Sequence, residues 1–336
     1  PYPEEKVIDF LAIPYQSHRD AFRAARIIFR YCQKHRPDMV HCHFMGACLS
    51  GLPAAFLAGV RLRLHTRHHG GPYPVEDRPR LGWFYDRFNN WLSTNIIATN
   101  KLIQSVLLKE GVVAAKIQLI YQGFDFQQID KVDPQQIEKI KEKYLSGHRG
   151  PVIGVVSRYQ HLKGVQYIIP AFVRLRKDYP NAILVLASAN GPYAPTIKQL
   201  LSDLPPEAYV EIPFERDIFS LYRLFDIFVH VPLAPHYEGF GQVYVEAMAC
   251  QRAMIATRSG IANELTKHRE NSWIVDYKNS QQIYEGLKHL LDHQDLRQEI
   301  GKNAQRTVHR FGFKVEDMIQ SLEQVYYSLL KVSTHE

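Results

Sequence analysis

The chain has 336 residues, of which 46% are apolar and 12% aromatic, and a net charge of +7; this is too long for one ordinary core and suits two domains. Its four cysteines, Cys32, Cys42, Cys48 and Cys250, show no C-x-x-C spacing, which argues against a disulfide framework and for reduced thiols in a cytosolic compartment. The longest apolar stretch, residues 47–60, falls short of the ~20 residues a membrane span needs.

The opening residues, PYPEEK, are charged and lack a signal-peptide pattern. A doubly wound nucleotide-type domain normally opens on an apolar strand and a Gly-rich turn. Nothing in residues 1–50 has that form, so the chain is expected to start about two strands into such a domain. All of the excess positive charge falls in residues 1–150. Its most organised piece carries Arg19, Arg23, Arg26 and Arg30 on one helical face, extended by Lys34. Phe22, Ala25, Phe29 and Cys32 fall away from that stripe. A solvated face and a surface for anionic lipid headgroups both stay open. Nucleic acid is not expected, because no aromatic or Gly-rich recognition motif accompanies the charge.

MVHCHF (39–44) and RLRLHTRHH (61–69) read as strands joined by an Ala- and Leu-rich helix, a βαβ unit. Alternation places His41 and His43 on one face, with His65, His68 and His69 on the next strand. A zinc site is imaginable there, but acidic ligands at ordered spacing are absent and no metal is expected. The strand ends are expected instead to present His to a cleft. NIIATN (95–100) is a strand leading into a helix that Gly111 closes. Another strand and turn follow, in which Gly123 is expected to take a positive φ. Residues 134–150 read as a helix plus linker.

In the second half, strands near 152–157, 182–188, 209–213, 226–231 and 253–257 alternate with helices, the pattern of a parallel sheet. A final helix spans 313–332 after a break at Phe311-Gly312. We therefore expect a first domain over 1–145, a second over 146–312 and a terminal helix over 313–336, with ligands outside the strand carboxyl ends. Arg158 and Lys163 sit in one strand-to-helix turn, followed by Gly164. Two cations beside a helix start make an anion site, or a plain solvated loop. Further on, HYEGFGQVYVEAMAC (236–250) carries Glu238 in a Gly-containing turn and Glu246 about one turn into a helix with little solvated face. Taken singly, Glu238 also reads as a helix cap and Glu246 as half of an internal ion pair.

Glu238-Gly239-Phe240-Gly241 followed by Glu246-Ala247 resembles the E-x7-E signature of glycosyltransferase family 4, retaining enzymes of the GT-B fold. Arg158, Lys163 and Gly164 resemble the family's R-x4-K-G segment. His69-Gly70 best fits the family's His-Gly after the strand, with His68 and Arg67 beside it. YQGFD (121–125) resembles an N-G-x-D turn with Gln122 for Asn, which brings in Gly123 and Asp125. SGIANE (259–264) resembles G-G-x-x-E, with Ser259 for the first Gly and one extra residue before Glu264.

The resemblance covers nearly all of the chain and implies an α/β protein of GT-B fold. Two doubly wound Rossmann-like domains would face a cleft, the first lacking its opening strands, with the last helix crossing back. It implies metal-independent, retaining transfer of a sugar from a UDP- or GDP-sugar to a hydroxyl acceptor, a glycan or lipid-linked glycoconjugate, without a cofactor. Arg158 and Lys163 would hold the diphosphate and stabilise its departure. Glu238 and the backbone of Gly239, Phe240 and Gly241 would hold the sugar, Glu246 would bind the ribose hydroxyls, and His69 would stand near the reacting centre. The protein would be cytoplasmic, peripheral on the membrane through Arg19, Arg23, Arg26 and Arg30. Two other classes fit parts of the pattern. One is a GT-B sugar-nucleotide epimerase, against which E-x7-E argues; the other is a non-catalytic, membrane-associated binding protein.

Overall fold

A computed structural model describes residues 10–15, 20–71 and 79–333. The first half runs α1 (Ala21–His35), β1 (Met39–His43), α2 (Phe44–Leu57), β2 (Leu62–Arg67), α3 (Pro79–Leu92), β3 (Asn95–Ala98), α4 (Lys101–Lys109), β4 (Ile117–Leu119), α5 (Phe126–Asp130) and α6 (Pro134–Leu145). Its four strands are parallel and lie side by side in chain order, so right-handed crossovers leave the linking helices on one face. Helices α1, α2 and α3 accordingly pack next to one another.

The second half runs β5 (Val152–Val156), α7 (Val165–Asp178), β6 (Ile183–Ala187), α8 (Ala194–Leu201), β7 (Tyr209–Ile212), α9 (Ile218–Leu224), β8 (Ile227–His230), α10 (Gln242–Ala249), β9 (Ala253–Ala256), α11 (Ala262–Leu265), β10 (Trp273–Ile274), α12 (Ser280–Asp292), α13 (Gln294–Arg310) and α14 (Val315–Ser333). Its sheet is parallel in the order β10-β9-β8-β5-β6-β7, so the direction of winding reverses between β5 and β8. A crevice opens where neighbouring connections leave in opposite directions. Strands β5, β6, β8 and β9 are buried at every position, which explains their unbroken apolar sequences.

The expected elements appear, with local differences at their ends. β1 stops at His43 because Phe44, at φ 64°, already turns the chain into α2. Gly111 ends α4 at φ 87°, as its position suggested. Gly123 does not take a positive φ. A Cβ there would lie 2.5 Å from the Cα of Val315, so glycine is needed for close approach to the start of α14. That helix begins two residues later than expected, since Phe313 O accepts from Phe124 N at 2.7 Å and Gly312 turns at φ 86°. α14 then returns to the first sheet, where Tyr326 Oη lies 2.6 Å from His41 Nδ1. Arg23, Arg26, Arg30 and Lys34 are exposed along α1, while Arg19 lies outside the described residues. No helix among the described residues is long and apolar enough to cross a membrane, and the four cysteines are buried and free.

Candidate functional site

The site forms where the carboxyl ends of β5 and β8 meet the loop after β2. Beyond β5 the chain makes a tight turn through Arg158 and Lys163 to Gly164, at φ 79°. A Cβ on Gly164 would sit 1.9 Å from the carbonyl oxygen of Val231, so only glycine lets this turn pack under the end of β8. The turn brings Lys163 Nζ to 2.6 Å from Glu238 Oε1, and His230 Nε2, at the end of β8, lies 2.8 Å from the same oxygen. Burial alone would raise the Glu238 pKa, yet the hydrogen bond from His230 and the charge of Lys163 outweigh it and hold the carboxyl at about 2. Ser259, which departs from glycine here, accepts from Glu238 N at 3.0 Å and donates to Ala234 O at 2.8 Å. The departure thus fastens the Glu238 loop.

These groups line a cavity of about 620 Å³, with Arg158, Lys163, Glu238 and residues 239–241 on one wall and Phe44, His68 and Gln122 on the other. Gly239 belongs to the seam between the walls: a Cβ there would lie 1.8 Å from His68 O, and its own carbonyl accepts from Asn100 Nδ2 at 2.5 Å. Glu264 fastens the same seam, accepting from Lys101 N and Tyr121 Oη, each at 2.8 Å, so the extra residue before it does not draw it away. A cavity of about 570 Å³ lies at the opposite, amino-terminal end of the second sheet near Arg149 and Arg176. Parallel sheets bind ligands at the other end.

The structure separates residues that the sequence left together. His68 faces the cavity, stacked on Phe44 with centroids 4.4 Å apart and with Nε2 3.2 Å from His43 Nδ1. Burial lowers its pKa to about 4, helped by His43, so the ring is neutral near pH 7. His69 points the other way, Nε2 2.8 Å from Asp86 Oδ1. Arg67, on that same side, is 2% exposed and bridges Asp86 at 3.0 Å and Glu110 at 3.0 Å. Alternation along an extended segment accounts for the split, because residues 67 and 69 share a face and 68 takes the other. Of residues 67–69, His68 is therefore the one at the cavity, while His69 and Arg67 belong to a polar network inside the first domain.

Asp125 does not reach the cavity; it caps α5, accepting from Gln127 N at 3.0 Å and Gln128 N at 3.3 Å. Glu246 stands beyond the cavity wall along α10, its Oε2 accepting from Tyr222 Oη at 3.0 Å, with its pKa raised by burial. Cavity residues that the sequence did not single out as such include Phe44, Gln122 and His230. Gln122 was noticed only as a departure, yet its Oε1 is buried without a partner among the described residues. A polar residue inside the apolar run DIFVHVP was the available signal for His230.

Comparison with known proteins gives the same picture on independent grounds. The family model described as "Glycosyl transferases group 1" matches residues 136–307, and that described as "Glycosyltransferase Family 4" matches residues 2–128. The N-acetyl-alpha-D-glucosaminyl L-malate synthase of Bacillus anthracis is 24% identical over 89% of this chain and 77% of its own. The capsular polysaccharide biosynthesis glycosyltransferase CapM of Staphylococcus aureus is 26% identical over 89% of this chain and 79% of its own. Among solved structures, Anabaena HepE in complex with UDP and glucose superposes with a TM-score of 0.79 at 24% identity, covering 91% of this chain and 81% of that one. Two parallel sheets facing a cleft, a cation and carboxylate cluster at the strand ends and matches along the chain converge: the protein is a GT-B glycosyltransferase and belongs to the glycosyl transferases group 1 family.

Proposed function

We propose that the protein transfers a sugar, with retention and without a metal, from a UDP- or GDP-sugar to a hydroxyl of a glycan or lipid-linked acceptor. The observation that carries this reading is the Lys163–Glu238 pair in the wall of the inter-domain cavity. Arg158, exposed at the cavity, and Lys163 would neutralise the departing diphosphate with fixed side-chain charge. Glu238 and the 239–241 backbone would hold the sugar. A carboxyl held at about 2 is a poor proton acceptor, so Glu238 serves charge and position while the leaving phosphate takes the acceptor's proton. His68 takes the role first given to His69. Glu246 would meet the ribose where the nucleoside extends past the cavity wall along α10. HepE was solved with UDP-glucose, and a phosphatidylinositol monomannoside mannosyltransferase of Mycolicibacterium smegmatis, 32% identical over 43% of this chain, is named as GDP-mannose-dependent. A panel of UDP- and GDP-sugars should therefore contain one that raises the melting temperature, by binding only the folded protein. Lys163→Ala should lower turnover by about 10²–10³-fold; near-normal transfer by that variant would end the assignment.

The acceptor side supports peripheral membrane association. In addition to the α1 stripe, α3 exposes Trp83 (50%), Phe84 (56%) and Trp91 (67%). The Phe56 ring of α2 lies tilted against Trp91, centroids 5.8 Å apart, and the Arg63 and Arg87 guanidinium groups lie over Phe56 and Trp83. Aromatic rings among arginines suit the headgroup region of an anionic bilayer, each nearby cation contributing about 1 kcal/mol. Two of the three tryptophans are on this face, so phosphatidylglycerol vesicles should shift their emission to the blue and sediment the protein at low salt. No shift and no sedimentation would remove the membrane from the reading.

A further inference from the structure

His230 ends the buried strand β8, with 2% of its surface exposed. Its ring lies parallel to Phe228 and meets Tyr244 edge-on at 4.9 Å. Nε2 approaches Glu238 Oε1 at 2.8 Å, and Nδ1 has no partner among the described residues. An ionised carboxylate oxygen only accepts, so Nε2 carries the proton. A cationic ring would put a second N–H on Nδ1 with nothing to receive it, a costly arrangement in an apolar surround. The neutral ring, protonated at Nε2, follows.

Lys163 Nζ donates to the same oxygen at 2.6 Å. Oε2 accepts from no side chain among the described residues. Two donors on one oxygen fix the rotation of the carboxylate and leave its second oxygen for a ligand. The donors differ in what a diphosphate would do to them: Lys163 is the flexible cation a phosphate would draw away, whereas His230 is clamped between rings.

On the reading that Glu238 meets the donor sugar, we propose that His230 is a positioning residue for transfer. Its Nε2–H holds Glu238 Oε1 when Lys163 turns to the diphosphate, so that Oε2 keeps facing a sugar hydroxyl. The residue acts through Glu238.

Three variants test this: His230→Gln, whose amide nitrogen reaches about as far as Nε2; His230→Asn, which reaches only about as far as Nδ1; and His230→Leu. Turnover is read as hydrolysis and transfer of UDP-glucose and GDP-mannose, and UDP and GDP binding by calorimetry. We expect Gln to stay within about threefold of wild type, and Asn and Leu to lose between about tenfold and about a hundredfold in kcat/KM. Nucleotide affinity should be unchanged in all three, because UDP and GDP lack the sugar. Asn or Leu matching Gln in turnover, or nucleotide binding falling in step with turnover, overturns the proposal. If Leu fails to fold, the Gln and Asn pair decides it. A wild-type protein that binds neither UDP nor GDP would refute the donor reading instead. The 15N shifts of His230 then decide the ring: Nε2–H and neutral at pH 7 supports the positioning role, Nδ1–H or cationic overturns it.

Discussion

The two halves of the molecule are held together differently. In the second, buried strands separate two broad apolar clusters, one around Phe228, Tyr244 and Met254 and one around Val155, Phe172 and Leu184. Among the described residues, the first sheet and its helices form small clusters, such as Cys42, Cys48, Leu52 and Leu92, while Phe124, Phe126 and Ile140 join the core of the second half, and β1 is mostly half-exposed. What fills the difference is polar: Arg67 between Asp86 and Glu110, with Asn90 Nδ2 donating to Glu110 Oε2 at 2.8 Å. An apolar core loses stability in proportion to what is removed, whereas a buried ionic network fails at one partner, since the others are left charged without compensation. Arg67→Met should therefore cost about 3–5 kcal/mol, confined to the first half. Urea unfolding in a Trp273→Phe background, followed through the fluorescence of Trp83 and Trp91, should show an early transition that accounts for only part of the circular dichroism change of the whole chain. A single unshifted transition would mean that both halves rely on the same kind of core.

The second way to sharpen the contrast lies in adjacent histidines, one on each side of the boundary between network and cavity. His68→Asn should lower kcat/KM about tenfold with little change in melting temperature. His69→Asn should leave transfer nearly intact and lower stability by about 1 kcal/mol, because Asp86 loses a partner. The opposite pattern would reverse the assignment of cavity and network.

The second half was the more legible in sequence, for a physical reason. Where a strand is buried on both faces its apolar run ends abruptly, and charged residues just beyond it, here Arg158, Lys163 and Glu238, stand out at the sheet's carboxyl edge. Glycines with a steric duty marked the same loops, as Gly164 and Gly239 illustrate. In the first half the chain alternates over short extended pieces, so one residue changes the face, and the match of His69-Gly70 to the family motif does not tell which of two adjacent histidines meets the cavity. His230 was hidden because its partner, Glu238, is eight residues away and across a turn. The aromatic face of α3 escaped notice because Trp and Phe read as core until burial is known.

The smallest expected effect concerns Glu246, where the second half departs from its own apolar rule. Burial raises its pKa, and the single hydrogen bond from Tyr222 offsets this only in part. A raised carboxyl pKa means that the folded chain holds the proton more tightly than the unfolded one. The stability linked to it is therefore present below the ordinary glutamate range and lost as pH rises through the folded value. Glu246→Gln stays neutral throughout, so it should be more stable than wild type at pH 7.5, on the order of 0.5 kcal/mol, and lose that advantage toward pH 4. If Glu246 also meets ribose hydroxyls, the same variant should bind UDP or GDP less tightly, because an amide is a weaker acceptor than a carboxylate. Urea titrations at the two pH values and calorimetry with the nucleotide read the two effects separately. A gain in stability with unchanged nucleotide affinity would mark Glu246 as a half-buried charge without a ligand, and the second half would then answer to its apolar core alone.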